Sequence, residues 1–167
     1  MTGPIRFFPT ADLSDAFPDA VRQVMLPFRD FGGRRRFAGR IRTAVTVEDT
    51  KLVKKALFNA PGDGDVIVLD GGGSLRTALL GDRMAERLLS NGWAGIVING
   101  AVRDSGAISK LDIGVKALGT SPVRPRQAGI GALDVPVAFG NAIAMTGEVV
   151  YCDEDGVIVA SAALNLK

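Results

Sequence analysis

Residues 66–74, VIVLDGGGS, and residues 95–104, GIVINGAVRD, decide the fold. Val66, Ile67, Val68 and Leu69 form an unbroken apolar run of strand length, the pattern of a strand covered on both faces. Asp70-Gly71-Gly72-Gly73-Ser74 then reads as a turn. Asp82 stands where it can cap a helix running to about Ser90, with Met84, Ala85, Leu88 and Leu89 on its apolar side. Asn91-Gly92 ends that helix. Ile96, Val97 and Ile98 make a second buried strand. Strand, helix and strand between residues 66 and 98 constitute a βαβ unit.

Outward from this unit the patterns change. Ile41, Thr43, Val45 and Val47 alternate with Arg42, Ala44 and Thr46, the period-two signature of a half-buried strand. Asp49 or Thr50 can cap a helix over residues 51–58, with Leu52, Val53, Ala56 and Leu57 on its apolar face. Residues 59–65 read as a loop. Near the start, Pro9-Thr10 precedes a short helix over residues 11–17. The last third holds short apolar segments at residues 135–139, 143–145, 149–152 and 156–160. Gly140-Asn141, Gly147 and residues 153–155 separate them, which predicts strands joined by tight turns. The expected architecture is α/β: one domain over residues 1–167, its βαβ layer packed on a β-rich sheet or small barrel.

Composition narrows the chemistry. The 167 residues are 47% hydrophobic, enough for a core of its own. No apolar run approaches the ~18–20 residues that span a bilayer, and residues 1–10 carry no secretory pattern. A cytoplasmic location is expected, and the single Cys152 suits a reducing compartment. The chain has no histidine. That excludes Ser-His-Asp and Cys-His catalysis and histidine-ligated zinc. One cysteine excludes thiolate zinc sites and iron–sulfur clusters. A bound metal would need oxygen ligands, which suits Mg²⁺ or Mn²⁺. A formal net charge of +2 gives no general sign of nucleic-acid binding, and direct binding is not expected. Arg34, Arg35, Arg36, Arg40 and Arg42 form a local basic cluster, read as a solvated edge or subunit contact.

In open α/β sheets ligands gather beyond the carboxyl ends of the strands. Two such ends carry Asp70–Ser74 and Gly100-Ala101-Val102-Arg103-Asp104. Arg103 offers a bidentate fork to a carboxylate or enolate, and Asp104 a hard oxygen ligand for a divalent cation. A surface ion pair, or Asp104 capping a short helix at residues 105–109, explains the same residues. The first-turn N–H groups of Asp82, Arg83 and Met84 make an anion site that a substrate carboxylate fits. The loop Gly71-Gly72-Gly73 lacks the spacings of dinucleotide and P-loop motifs, so no nucleotide or S-adenosylmethionine is expected there. Asp153, Glu154 and Asp155 read as a polar hairpin turn, and Cys152 as core.

Phe31-Gly32-Gly33, residues 66–74, Gly81-Asp82, residues 95–104 and residues 111–122 (LDIGVKALGTSP) together resemble the RraA-like family. The resemblance runs from about residue 11 to residue 159. The twenty residues between Asp82 and Arg103-Asp104 match the spacing in its aldolase members. The family contains divalent-metal 4-hydroxy-4-methyl-2-oxoglutarate aldolases and regulators of ribonuclease E activity. The resemblance implies a swivelling β/β/α fold and a homotrimer or hexamer with active sites between subunits. It implies a small 2-oxo acid as substrate, with oxaloacetate decarboxylation as a side activity, or alternatively a ribonuclease E-type partner. Arg103 would bind the pyruvyl part of the substrate, Asp104 the Mg²⁺ or Mn²⁺, and Gly81, Asp82, Arg83 and Met84 the substrate carboxylate. Asp82 would also organise water at the metal, and Asp49 is similar to an acidic residue near the site in relatives. Larger aldolases draw further acidic groups from a C-terminal region, so the proton-transfer group stays open.

Overall fold

The computed structural model describes residues 3–167. Its centre is a parallel run of four strands in the order β3 (Phe37–Val45), β4 (Val66–Asp70), β6 (Gly95–Val102) and β7 (Gly114–Thr120). The short β5 (Ala78–Leu80) adds in parallel to the far end of β6, and β2 (Arg29–Asp30) runs antiparallel on β7. On the other flank, β11 (Val149–Asp153) pairs with the first half of β3. β12 (Gly156–Ala160) and β1 (Val21–Gln23) extend the sheet from there. β8 (Ala132–Leu133) joins the end of β3, while β9 (Val137–Phe139) and β10 (Ala142–Ala144) form a separate hairpin.

The period-two geometry of the central strands sorts their side chains into two cores. Ile67, Leu69, Ile96 and Ile98 point to the helical side, where they meet Val53, Leu57, Phe58, Ala85, Leu88 and Trp93. Val66, Val68 and Val97 point the other way, towards Val137, Ala144, Val150, Val157 and Val159 of the hairpins. The layers therefore run hairpins, parallel sheet, helices: a β/β/α arrangement, matching the expected α/β class. A third, smaller core seats Phe8 and Leu13 against Tyr151 and Ile158. There α1 (Thr10–Ala16) is held by a remote carboxylate: Asp153 accepts from Thr10 N and Thr10 Oγ1, both at 2.7 Å.

Three local expectations need correction. The strand expected at residues 41–47 with one wet face starts at Phe37 and ends at Val45. Cores lie on both of its sides, so Ile41, Thr43 and Ala44 are all buried, and Val47 is exposed beyond it. The helix at residues 51–58 is α2 (Lys51–Val53) continued by a π-helical turn, Lys54–Phe58. The wide turn, closed by Asn59 N donating to Lys54 O, rotates the phase. It buries Val53, Leu57 and Phe58 in place of the full expected face. α3 (Asp82–Ser90) begins one residue earlier than a capping Asp82 would require, with Gly81 in the cap position. β5 holds the chain extended up to Leu80, and the Asp82 carboxylate instead accepts from Arg83 N at 2.7 Å.

Candidate active site

The parallel ladder between β5 and β6 sets Leu80 beside Val102, so the residues that follow each strand emerge side by side. Arg103 N donates to Leu80 O at 2.9 Å, which locks that junction. Gly81 and Asp82 thereby face Arg103 and Asp104, the pairing that the sequence spacing suggested. Gly81 is there for room. A Cβ on it would lie 2.9 Å from Asp104 Oδ2 and 3.3 Å from Arg103 Nε, although its backbone conformation suits any residue. Asp104 takes the left-handed conformation at φ 55°, a region that Asp tolerates better than most residues. It occupies the cap position of α4 (Ser105–Ile108), but its side chain makes no cap bond. Oδ2 instead accepts from Asp82 N at 3.3 Å. The Arg103–Asp104 contact is loose, 3.7 Å from Nε to Oδ2, with both side chains at least one-third exposed. A spacing that long is no bidentate pair, so the guanidinium fork stays available. Among the described residues, Met84 N has no hydrogen-bond partner.

These residues line a cleft of about 550 Å³. Residues that the sequence reading did not single out line it too: Thr50 and Lys54 on the α2 segment, and Arg124, Pro125 and Gln127 on the loop after β7. Asp49 ties those two segments together. It is fully buried and accepts from Lys51 N, Ala128 N and Gly129 N. Burial pushes its carboxyl up, but these backbone donors outweigh that and hold it below the usual carboxylate range. Asp49 is therefore near the site, yet its carboxylate is engaged by backbone. Gln127 Nε2 adds a bond to Thr50 Oγ1 at 2.8 Å.

The Gly71-Gly72-Gly73 loop closes on itself. Gly71 N and Gly73 N both donate to Asn99 O, and Gly72 N donates to Asp70 Oδ1. No amide is left there to cradle a phosphate. The basic cluster is largely neutralised within the chain: Arg34 pairs with Asp112, Arg36 with Glu154 and Arg42 with Asp134. No three Asp, Glu or Cys side chains gather as a metal cage among the described residues. The donor set fits a cation of the Mg²⁺ type, which keeps several waters and takes one or two carboxylates. Asp104 Oδ1, without a hydrogen-bond partner among the described residues, is the available ligand atom.

Residues 10–159 match the family described as RraA-like: Aldolase/RraA. The chain belongs to the RraA-like family. A relative from Ectopseudomonas mendocina, provisionally named 4-hydroxy-4-methyl-2-oxoglutarate aldolase, is 47% identical over 94% of this chain and 96% of its own. One from Alkalilimnicola ehrlichii with the same provisional name is 48% identical over 93% and 96%. Among solved structures, the RNA-processing inhibitor RraA from Thermus thermophilis superposes with a TM-score of 0.91 at 41% identity, covering 95% of each chain. A Geobacillus kaustophilus protein titled S-adenosylmethionine: 2-dimethylmenaquinone methyltransferase gives 0.91 at 46%, covering 94% of this chain and 97% of its own. The β/β/α layering is thus the RraA-like fold. No helix among the described residues is long and apolar enough to cross a membrane.

Proposed function

We propose that this RraA-like chain is a lyase that cleaves 4-hydroxy-4-methyl-2-oxoglutarate into two pyruvates and also decarboxylates oxaloacetate. The observation that carries the reading is the corner where Gly81, Asp82, Arg103 and Asp104 meet at the carboxyl edge of the sheet, together with the names of the curated relatives. Arg103 grips the 2-oxo end of the substrate and faces the enolate oxygen as charge develops there, the position at which fixed positive charge contributes most. The substrate carboxylate docks on the first turn of α3, where Met84 N is without a partner among the described residues. Asp104 holds Mg²⁺ or Mn²⁺, which when bound supplies Lewis-acid polarisation of the 2-oxo group. Asp82 orients the water that takes the proton from the 4-hydroxyl. Loss of that proton breaks C3–C4, so one pyruvate leaves directly and the other as its enolate, which is then protonated. Oxaloacetate yields the same enolate when CO₂ departs, hence the second activity.

The test couples pyruvate release to lactate dehydrogenase. The reading expects turnover with Mg²⁺ or Mn²⁺ that disappears on chelation; no pyruvate under any metal overturns it. We also propose that chains associate as trimers, which would cover the exposed apolar Leu75, Val123 and Ile130. A monomeric mass by light scattering contradicts that. The likeness to an RNA-processing inhibitor supports a second reading, a regulator that binds a ribonuclease E-type enzyme. A pull-down with such an enzyme decides it: no capture at micromolar concentration removes the reading.

A further inference from the structure

We propose that Lys54 and Arg124 form a second carboxylate subsite within the cleft, so that the enzyme selects 2-oxo acids carrying two carboxylates over those carrying one. The inference rests on the reading of the cleft as a 2-oxo acid site and names what distinguishes its substrates.

Five arginines are neutralised by the chain itself: Arg22 by Glu148, Arg34 by Asp112, Arg36 by Glu154, Arg42 by Asp134 and Arg76 by Glu48. Lys54, Arg83 and Arg124 have no carboxylate within ion-pair distance among the described residues. Other cations such as Arg35 and Lys110 share that property, but these three are brought together, lining one cleft. With Arg103 they make four cations against the two carboxylates Asp82 and Asp104. The side chains alone leave an excess of positive charge, which a bound divalent cation only increases, so a dianion is favoured over a monoanion in a concave site, where fields are focused.

Position divides the four cations into two pairs. Arg83 and Arg103 belong to the corner that takes the 2-oxo acid end. Lys54 and Arg124 come from different elements, the π-helical turn and the loop after β7, and are free for the far end of a longer molecule. Their placement is built. Asp49 accepts backbone N–H bonds from both segments, from Lys51 on one side and Ala128 and Gly129 on the other. Thr50 N donates to Arg126 O and Arg126 N to Glu48 O, and Gln127 reaches Thr50. A loop held this tightly keeps its cation in register at little entropic cost on binding. Asp49 is thus a positioning residue for the subsite.

The test uses non-cleavable probes so that binding is read apart from turnover. 2-Oxoglutarate has two carboxylates and lacks the 4-hydroxyl; 2-oxobutanoate has one carboxylate. Calorimetric titration with Mg²⁺ present is expected to show tighter binding of 2-oxoglutarate to the wild type. Arg124→Gln, at an exposed position where folding is not at risk, should weaken 2-oxoglutarate by about 10- to 100-fold, the worth of one charge-assisted bond, and 2-oxobutanoate by less than about 2-fold. Lys54→Gln should act in the same direction. Asp49→Asn should raise KM for two-carboxylate substrates without lowering kcat, and leave one-carboxylate substrates alone. Equal wild-type affinity for the two probes, or an equal loss of both in Arg124→Gln, overturns the subsite. Absence of pyruvate release from 4-hydroxy-4-methyl-2-oxoglutarate, with probe selectivity intact, would instead sink the aldolase reading and leave the subsite standing.

Discussion

Two turns sit at the carboxyl edge of the same sheet and are built from similar residues, yet one is closed and the other open. The turn after β4 has Asp70 and three glycines. Its amides bond Asn99 O and Asp70 Oδ1, and Asn99 Nδ2 returns a bond to Asp70 at 2.9 Å. The corner of Gly81, Asp82, Arg103 and Asp104 has the same ingredients plus an arginine. There the contacts are long, at 3.3 and 3.7 Å, and both charged side chains are partly exposed. The first turn's polar groups satisfy each other, so it stabilises. The second leaves donors, a guanidinium fork and a carboxylate oxygen for something else. Chemistry is read from which polar groups the fold leaves without partners, more than from which residue types are present.

The largest expected effect is at the open corner. Arg103→Ala should lower kcat/KM for pyruvate release by about 10²- to 10³-fold, the usual loss when a transition-state charge partner goes, with little change in melting temperature. An equally large fall in stability would mean that the corner is structural like its neighbour. Next comes acid stability. Asp49 is held below the ordinary carboxylate range in the fold. Its stabilisation is therefore present above about pH 4 and lost as pH falls towards its lowered folded value. Unfolding free energy measured by denaturant titration should decline across that window in the wild type and decline less steeply in Asp49→Asn. The smallest pair of effects sharpens the contrast most. Gly81→Ala keeps an ordinary backbone but pushes on Asp104 Oδ2, so activity should fall about 10-fold with stability nearly unchanged. Gly72→Ala sits at φ 66° with open space around it. It should cost about 1 kcal/mol of stability and leave kcat/KM within about 2-fold.

Some of this was written plainly in the chain. Continuous apolar runs marked β4 and β6 because both their faces are covered, and the helical pattern of α3 fell between them. β7 was obscured by the buried Lys116 and by Gly114 and Gly119, which interrupt its apolar pattern. β5 is three residues long and, among the described residues, pairs only with the end of β6. At the site, Arg103 and Asp104 were legible because both follow a recognisable strand. Lys54 and Arg124 were not. Lys54 looked like the wet face of a helix, and what gives either residue meaning is the absence of a partner, which only the fold reveals. The reverse held for the basic cluster at residues 34–42. Arg34, Arg36 and Arg42 find carboxylates 78, 118 and 92 residues away, separations with no local signature.

The most direct measurement is coupled pyruvate release from 4-hydroxy-4-methyl-2-oxoglutarate, comparing wild type with Asp104→Asn at saturating Mg²⁺. Asparagine tolerates the left-handed backbone at this position, so the fold is expected to survive. The wild type should turn over and the variant should fall by about a thousandfold, as for loss of the group that anchors the charge-stabilising cation. Turnover by Asp104→Asn at the wild-type rate would contradict the account.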